Sequence, residues 1–139
     1  MLKILIVADE PDICELIHKL IDWEDLGLVS LGSSQNGVDA MEIILRQKPD
    51  IGITDIQMPG MTGLEVIERA SQQKLPTKFI VISGYREFDY ARQAIRFGVE
   101  DYLLKPISKT DLNLLLKRLL KESGAVRERR ASEEAIREN

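Results

Sequence analysis

The chain has 139 residues, 44% of them hydrophobic, and a formal net charge of −4. That length suits one domain with a short extension, and the acidic balance argues against non-specific nucleic-acid binding by this segment. Cys14 is the single cysteine, so neither a disulfide framework nor a thiolate metal site can be built from it, which fits the reducing cytoplasm.

The first apolar run, Lys3–Ala8, is short and ends in Asp9 and Glu10. It reads as a buried strand, too brief for a signal peptide. Pro11–Ile21 follows with Ile13, Leu16, Ile17, Leu20 and Ile21 at helical spacing, and Pro11 suits the first turn, where its missing N–H is not needed. Trp23 and Leu26 are expected to cover the end of this helix. Cys14 and His18, on the same helix, read as packing and surface residues. Leu28–Ser33 is the second strand. Val38–Gln47 is a helix with Ala40, Met41, Ile44 and Leu45 on one side. Ile51–Thr54 is a third strand, ending at Asp55. Gly63–Gln72 carries Leu64, Val66, Ile67 and Ala70 at helical spacing.

Lys78–Ser83 is the fourth strand and ends in a hydroxyl. Glu87–Phe97 reads as a helix with Phe88, Ala91, Ala94 and Ile95 inward, and Asp101–Leu103 as a fifth strand just before Lys105-Pro106. Ser108 is an N-cap, with Asp111 favourable in the first turn, for a last helix whose stripe is Leu112, Leu115, Leu116, Leu119 and Leu120. Gly37, Gly63 and Gly98 stand at element boundaries as turn or cap residues. No apolar stretch approaches the ~18 residues of a membrane span. The domain is therefore placed at 1–122. Residues 123–139 read as a charged linker or tail, mixed in sign, in which Val126, Ala131 and Ile136 offer little to bury.

Strict strand–helix alternation, with right-handed crossovers, gives an α/β fold: a flavodoxin-like, doubly wound (βα)5 sheet, five-stranded and parallel, of order 2-1-3-4-5. Ligands bind such sheets outside the carboxyl ends of the strands, above all at the switch point between strands 1 and 3. Those two strands end in Asp9 and Asp55. Four separate segments thus deliver carboxylates, the Ser83 hydroxyl and the Lys105 ammonium to one edge. That set suits a divalent cation and a phosphoryl group.

The stretches "ILIVADEP", "PDIGITDIQMPGMTGLEVI", "KFIVISGY" and "DYLLKPI" together resemble the receiver domain of two-component response regulators. "LIDWEDLG" and "SGYREFDYARQAIRFGVEDYLLKPI" resemble the subgroup whose receivers commonly precede an AraC-type DNA-binding domain. The resemblance implies that Asp55 accepts a phosphoryl group from a sensor histidine kinase. It further implies that Asp9, Asp55 and the backbone carbonyl of Gln57 hold Mg²⁺, with Glu10 either joining them or only charging the first helical turn. Lys105 would pair with the phosphoryl oxygens and Ser83 would hydrogen-bond one of them. Tyr102 would move inward as Ser83 does, and the bond before Pro106 would be cis. The output would be transcription control through a DNA-binding domain absent from these residues. Phosphorylation would drive homodimerisation around Tyr90, Arg96 and Tyr102, in the cytoplasm and away from the membrane.

One departure from the family pattern is Ala8, where a second acidic residue usually precedes Asp9. The metal site is expected to work but to bind more weakly. Ala8 also leaves open a receiver-like interaction module that acts without phosphorylation. A third reading is a phosphohydrolase with an aspartate nucleophile. Gln57 stands where such an enzyme needs its general acid, which disfavours it.

Overall fold

The computed structural model of the chain describes residues 2–56, 58, 60–84 and 98–122. The elements are β1 (Leu2–Val7), α1 (Pro11–Leu20), α2 (Trp23–Leu26), β2 (Leu28–Ser34), α3 (Gly37–Gln47), β3 (Ile51–Asp55), α4 (Gly63–Gln72), β4 (Lys78–Ser83), β5 (Asp101–Leu104) and α5, over residues 109–122. The strands make one parallel sheet of order β2-β1-β3-β4-β5, the doubly wound order expected. Each strand lies within one residue of its predicted bounds. The helical pattern Glu87–Phe97 and the tail 123–139 fall outside the described residues. Among the described residues no helix is long and apolar enough to cross a membrane.

Alternation along the strands supplies two cores. Ile4, Ile6, Ile53, Ile80 and Ile82 pack on one face with Cys14 and Ile17 of α1, Leu26 of α2, and Leu112, Leu116 and Leu119 of α5. Leu5, Val7, Phe79 and Val81 pack on the other with Ala40 and Ile44 of α3 and Val66, Ile67 and Ala70 of α4. A sheet covered on both sides by helices favours strands that are apolar at most positions, as the central strands β1, β3 and β4 largely are.

Two predicted core positions are corrected. Leu16 is 44% exposed and Leu45 is 40% exposed. In α1 the buried line runs through Cys14, Ile17 and Ile21, and Leu16 sits about 100° from Ile17 round the helix. In α3 the line runs through Ala40, Met41 and Ile44, with Leu45 likewise one step off.

Strand β2 carries a bulge. Ile4 pairs with Ser30 but Ile6 pairs with Ser33, so β2 holds one extra residue there. Gly32 lies in that segment at φ 93°, a left-handed conformation that favours glycine, and its N–H donates to Ser30 Oγ at 3.0 Å.

The connection from α1 to β2 is a short helical turn rather than plain loop. Trp23 and Leu26 do cover the end of α1: Leu26 is buried and Trp23 packs half-buried on the same cluster. The Trp23 indole N–H donates to the His18 carbonyl at 2.8 Å, and the exposed His18 ring meets it edge-on at 4.8 Å. Asn113 of α5 fastens this connection. Its Oδ1 accepts from the Asp22 N–H at 2.9 Å, while its Nδ2 donates to the Leu20 carbonyl at 2.8 Å and the Lys109 carbonyl at 2.9 Å. One amide thus satisfies groups freed where α1 ends, which α1 cannot satisfy within itself. Asn113→Ala should therefore lower unfolding stability by about 1–2 kcal/mol. Urea unfolding followed by the fluorescence of Trp23, the single tryptophan, checks this. An unchanged midpoint would mean that water replaces the amide without loss.

Candidate functional site

Strand direction and order put the predicted polar residues on one edge. Asp9 and Glu10 follow β1, Asp55 is the last residue of β3, Ser83 is the last residue of β4, and Lys105 follows β5. Asp55 is 4% exposed. Its Oδ2 accepts from Lys105 Nζ at 2.9 Å, and its Oδ1 is buried without a hydrogen-bond partner among the described residues. Ser83 is fully buried and its hydroxyl oxygen also has no hydrogen-bond partner. The Lys105 N–H donates to the Ser83 carbonyl at 2.9 Å, extending the β4–β5 ladder by one residue and holding the two strand ends together. The Lys105–Pro106 peptide is cis, as expected.

The other predicted residues are nearby but less engaged. Asp9 and Glu10 are exposed and make no ion pair among the described residues. Glu10 is the N-cap of α1, where its carbonyl accepts the Ile13 and Cys14 N–H groups but its side chain makes no capping bond. Among the described residues, no three His, Cys, Asp or Glu side chains gather closely enough to hold a metal by themselves. Gln57, Tyr90 and Arg96 lie outside the described residues. Tyr102 is half-buried, pairs in register with Val81, and packs toward the α3–α4 side. The end of β3 thus sets one buried carboxylate against the Lys105 ammonium, while Asp9 and Glu10 add exposed acidic groups at the end of the neighbouring strand β1.

The backbone after Asp55 is tightly held. The Thr54 hydroxyl donates to the Asp55 carbonyl at 2.9 Å within buried surroundings. The Gly63 N–H donates to the Ile56 carbonyl at 2.7 Å. Gly37 and Gly63 stand at element boundaries, as expected, though as the first residues of helices rather than in turns. Each opens a helix, α3 and α4, and neither has a positive φ. A Cβ on Gly63 would overlap the Asp55 carbonyl oxygen, and one on Gly37 would overlap the Met61 carbonyl oxygen. Close approach is the requirement at both. Gly98, at φ 80°, is the backbone-turn glycine expected. A sequence signal for Gly63 did exist. Thr62-Gly63-Leu64-Glu65 reads as a capping box, and Thr62 Oγ1 accepts from the Glu65 N–H at 3.2 Å, which sets Gly63 inside the helix. Met58 and Met61 are buried in the α3–α4 core, as loop packing rather than as ligands.

Cys14 lies under the site and packs, as expected. Its thiol lies 3.6 Å from the Ala8 carbonyl. Burial pushes the thiol up from its ordinary value, more than the hydrogen bonds with Gln35, Ser33 and Ala8 pull it down, and the Asp55 charge adds to the rise. Such a thiol is inert rather than nucleophilic. Ala8 itself is fully buried in the same cluster.

The response regulator receiver domain profile matches residues 4–117. YesN of Bacillus subtilis (strain 168), described as an uncharacterized transcriptional regulatory protein, is 43% identical over 122 residues, covering 88% of this chain and 33% of YesN. The receiver domain of AraT, a response regulator from Geobacillus stearothermophilus, superposes with a TM-score of 0.84 at 37% identity, over 91% of this chain and 98% of that one. A two-component transcriptional regulator AraC from Clostridium phytofermentans ISDg superposes with a TM-score of 0.79 at 30% identity, over 87% and 94% of the two chains. The chain spans between 33% and 49% of the length of the curated relatives compared with it.

Proposed function

Because the chain belongs to the response regulator receiver domain family, we propose that it takes a phosphoryl group from a sensor histidine kinase onto Asp55 and converts that charge into a change of surface. The observation that carries this reading is the state of the Asp55 carboxylate. One oxygen is fixed by Lys105 while the other is buried with no partner among the described residues. A buried carboxylate oxygen left in that state is costly unless something else engages it.

The chemistry is displacement at phosphorus. An Asp55 oxygen attacks in line, the new O–P bond forms, and the bond to the donor breaks. With a phosphohistidine donor, the imidazole nitrogen leaves with the electron pair. Lys105 stays beside the product as a point charge on the phosphoryl oxygens. Ser83 offers a hydroxyl at the neighbouring strand end, with Tyr102 two residues upstream of the β5 end as its partner in switching. Signalling, rather than turnover of external esters, is the role of this site.

The donor set fits Mg²⁺. It consists of hard carboxylate oxygens from Asp9 and Asp55, with Glu10 and the Gln57 carbonyl as further candidates, and this ion takes only one or two carboxylates besides waters and phosphoryl oxygens. When bound, Mg²⁺ supplies charge neutralisation for the phosphoryl oxygens. The relatives named above support transcription control; in this reading it is exerted through a DNA-binding domain and by pairing of two receivers. A cytoplasmic setting follows from the kinase partnership.

Acetyl phosphate with Mg²⁺ should add one phosphoryl group to the chain in intact-mass measurement, and Asp55→Asn should remove it. Persistence of the added mass in that variant would move the site elsewhere. Sedimentation of the protein with a beryllofluoride mimic should show a larger dimer fraction than without it. An identical monomer–dimer constant in both would separate pairing from phosphorylation. Ala8→Asp should tighten Mg²⁺ binding, a tenfold gain being ~1.4 kcal/mol. Since Ala8 is fully buried, the same change should lower stability without metal. A flat Mg²⁺ titration would show that Glu10 or water already compensates.

A further inference from the structure

Thr54 is a polar residue in an aliphatic row. Its partners in register are Val7 on β1 and Val81 on β4, and all three face the α3–α4 core. Threonine and valine have nearly the same shape, so packing alone would be served by valine here. A hydroxyl in that slot loses its hydration and gains no packing, and is tolerated only if it makes a hydrogen bond that matters. Thr54 is fully buried and its hydroxyl donates to the carbonyl of the next residue, Asp55, at 2.9 Å. The Gly63 backbone closes on the same carbonyl oxygen so tightly that no side chain fits, and the Thr54 hydroxyl lies 3.1 Å from where that Cβ would be. The carbonyl is therefore hydrogen-bonded from within β3 and overlain by the start of α4, whose Gly63 N–H bonds the next carbonyl, at the point where the chain leaves the strand.

We propose that Thr54 is a positioning residue for phosphoryl transfer: its hydroxyl, with Gly63, fixes the Asp55 peptide plane and so the direction from which the Asp55 carboxylate meets phosphorus. This rests on Asp55 being the phospho-acceptor. In-line displacement is sensitive to alignment, and a small rotation of the residue that carries the nucleophile misplaces it. Thr54 touches neither donor nor phosphoryl group, so its effect acts through Asp55.

Thr54→Val keeps the volume and removes the hydroxyl, while Thr54→Ser keeps the hydroxyl and removes a buried methyl. Positioning and packing then predict opposite orders. If Thr54 positions Asp55, the maximal rate of labelling by acetyl phosphate at saturating Mg²⁺ should fall roughly tenfold in Thr54→Val. The donor concentration at half-maximal rate should stay the same. Thr54→Ser should label at close to the wild-type rate although its urea midpoint is the lower of the two. Two results overturn the inference while leaving the phospho-acceptor reading intact. One is a wild-type maximal rate in Thr54→Val; the other is a pair of variant rates that simply follow their stabilities. Absence of labelling in the wild-type protein would instead remove the reading beneath it, and the positioning role with it.

Discussion

A carboxylate at the end of a buried strand has to be compensated, and at Asp55 the compensation is half complete. Lys105 engages one oxygen and the other is left without a partner. Much of the surrounding architecture serves to hold this arrangement. Strand β3 is buried at each of its positions, so Asp55 cannot withdraw toward water. Lys105 is delivered by one extra ladder bond past β5. Gly63 lets α4 begin directly against the Asp55 backbone. The nearby Ser83 hydroxyl is likewise buried and unpartnered. Buried polar atoms without a partner among the described residues are thus gathered at one edge, where a cation or a phosphoryl group would be favoured.

Periodicity made most of the fold legible. Parallel strands buried on both faces are largely apolar, and the helices between them repeat at their own spacing, so the sequence could be divided without ambiguity. The strand-end residues Asp9, Asp55, Ser83 and Lys105 followed from topology, because doubly wound sheets gather their strand ends. The misses have a different character. Leu16 and Cys14 are two positions apart on α1, and only the sheet it packs against decides that the smaller residue turns inward. Gly37 and Gly63 were legible as boundary residues, but not the close approach each permits, because a missing side chain is ambiguous in sequence. The backbones that need the room, at Met61 and Asp55, come from other elements. Asn113 was invisible for the same reason, since its partners at Leu20 and Asp22 are brought to it by the fold.

The site is coupled to both helical layers through β3. Ile53 faces the α1–α5 side and Thr54 the α3–α4 side, with Asp55 next in line. The loop after it is held by Gly63 of α4 and, through Met61, by Gly37 of α3. Close-packed contacts of this kind do not deform smoothly.

The bulge in β2 has a consequence of another kind. This strand forms one margin of the sheet, with a row of backbone groups facing away from β1. A straight, regular margin would be a template onto which a stray strand from another molecule could zip. The extra residue between Ser30 and Ser33, with Gly32 in a left-handed turn, breaks the hydrogen-bonding rhythm and increases local twist. An invading strand would lose register within a few residues. The same irregularity that looks like a flaw in the ladder therefore protects the protein from growing into a fibre.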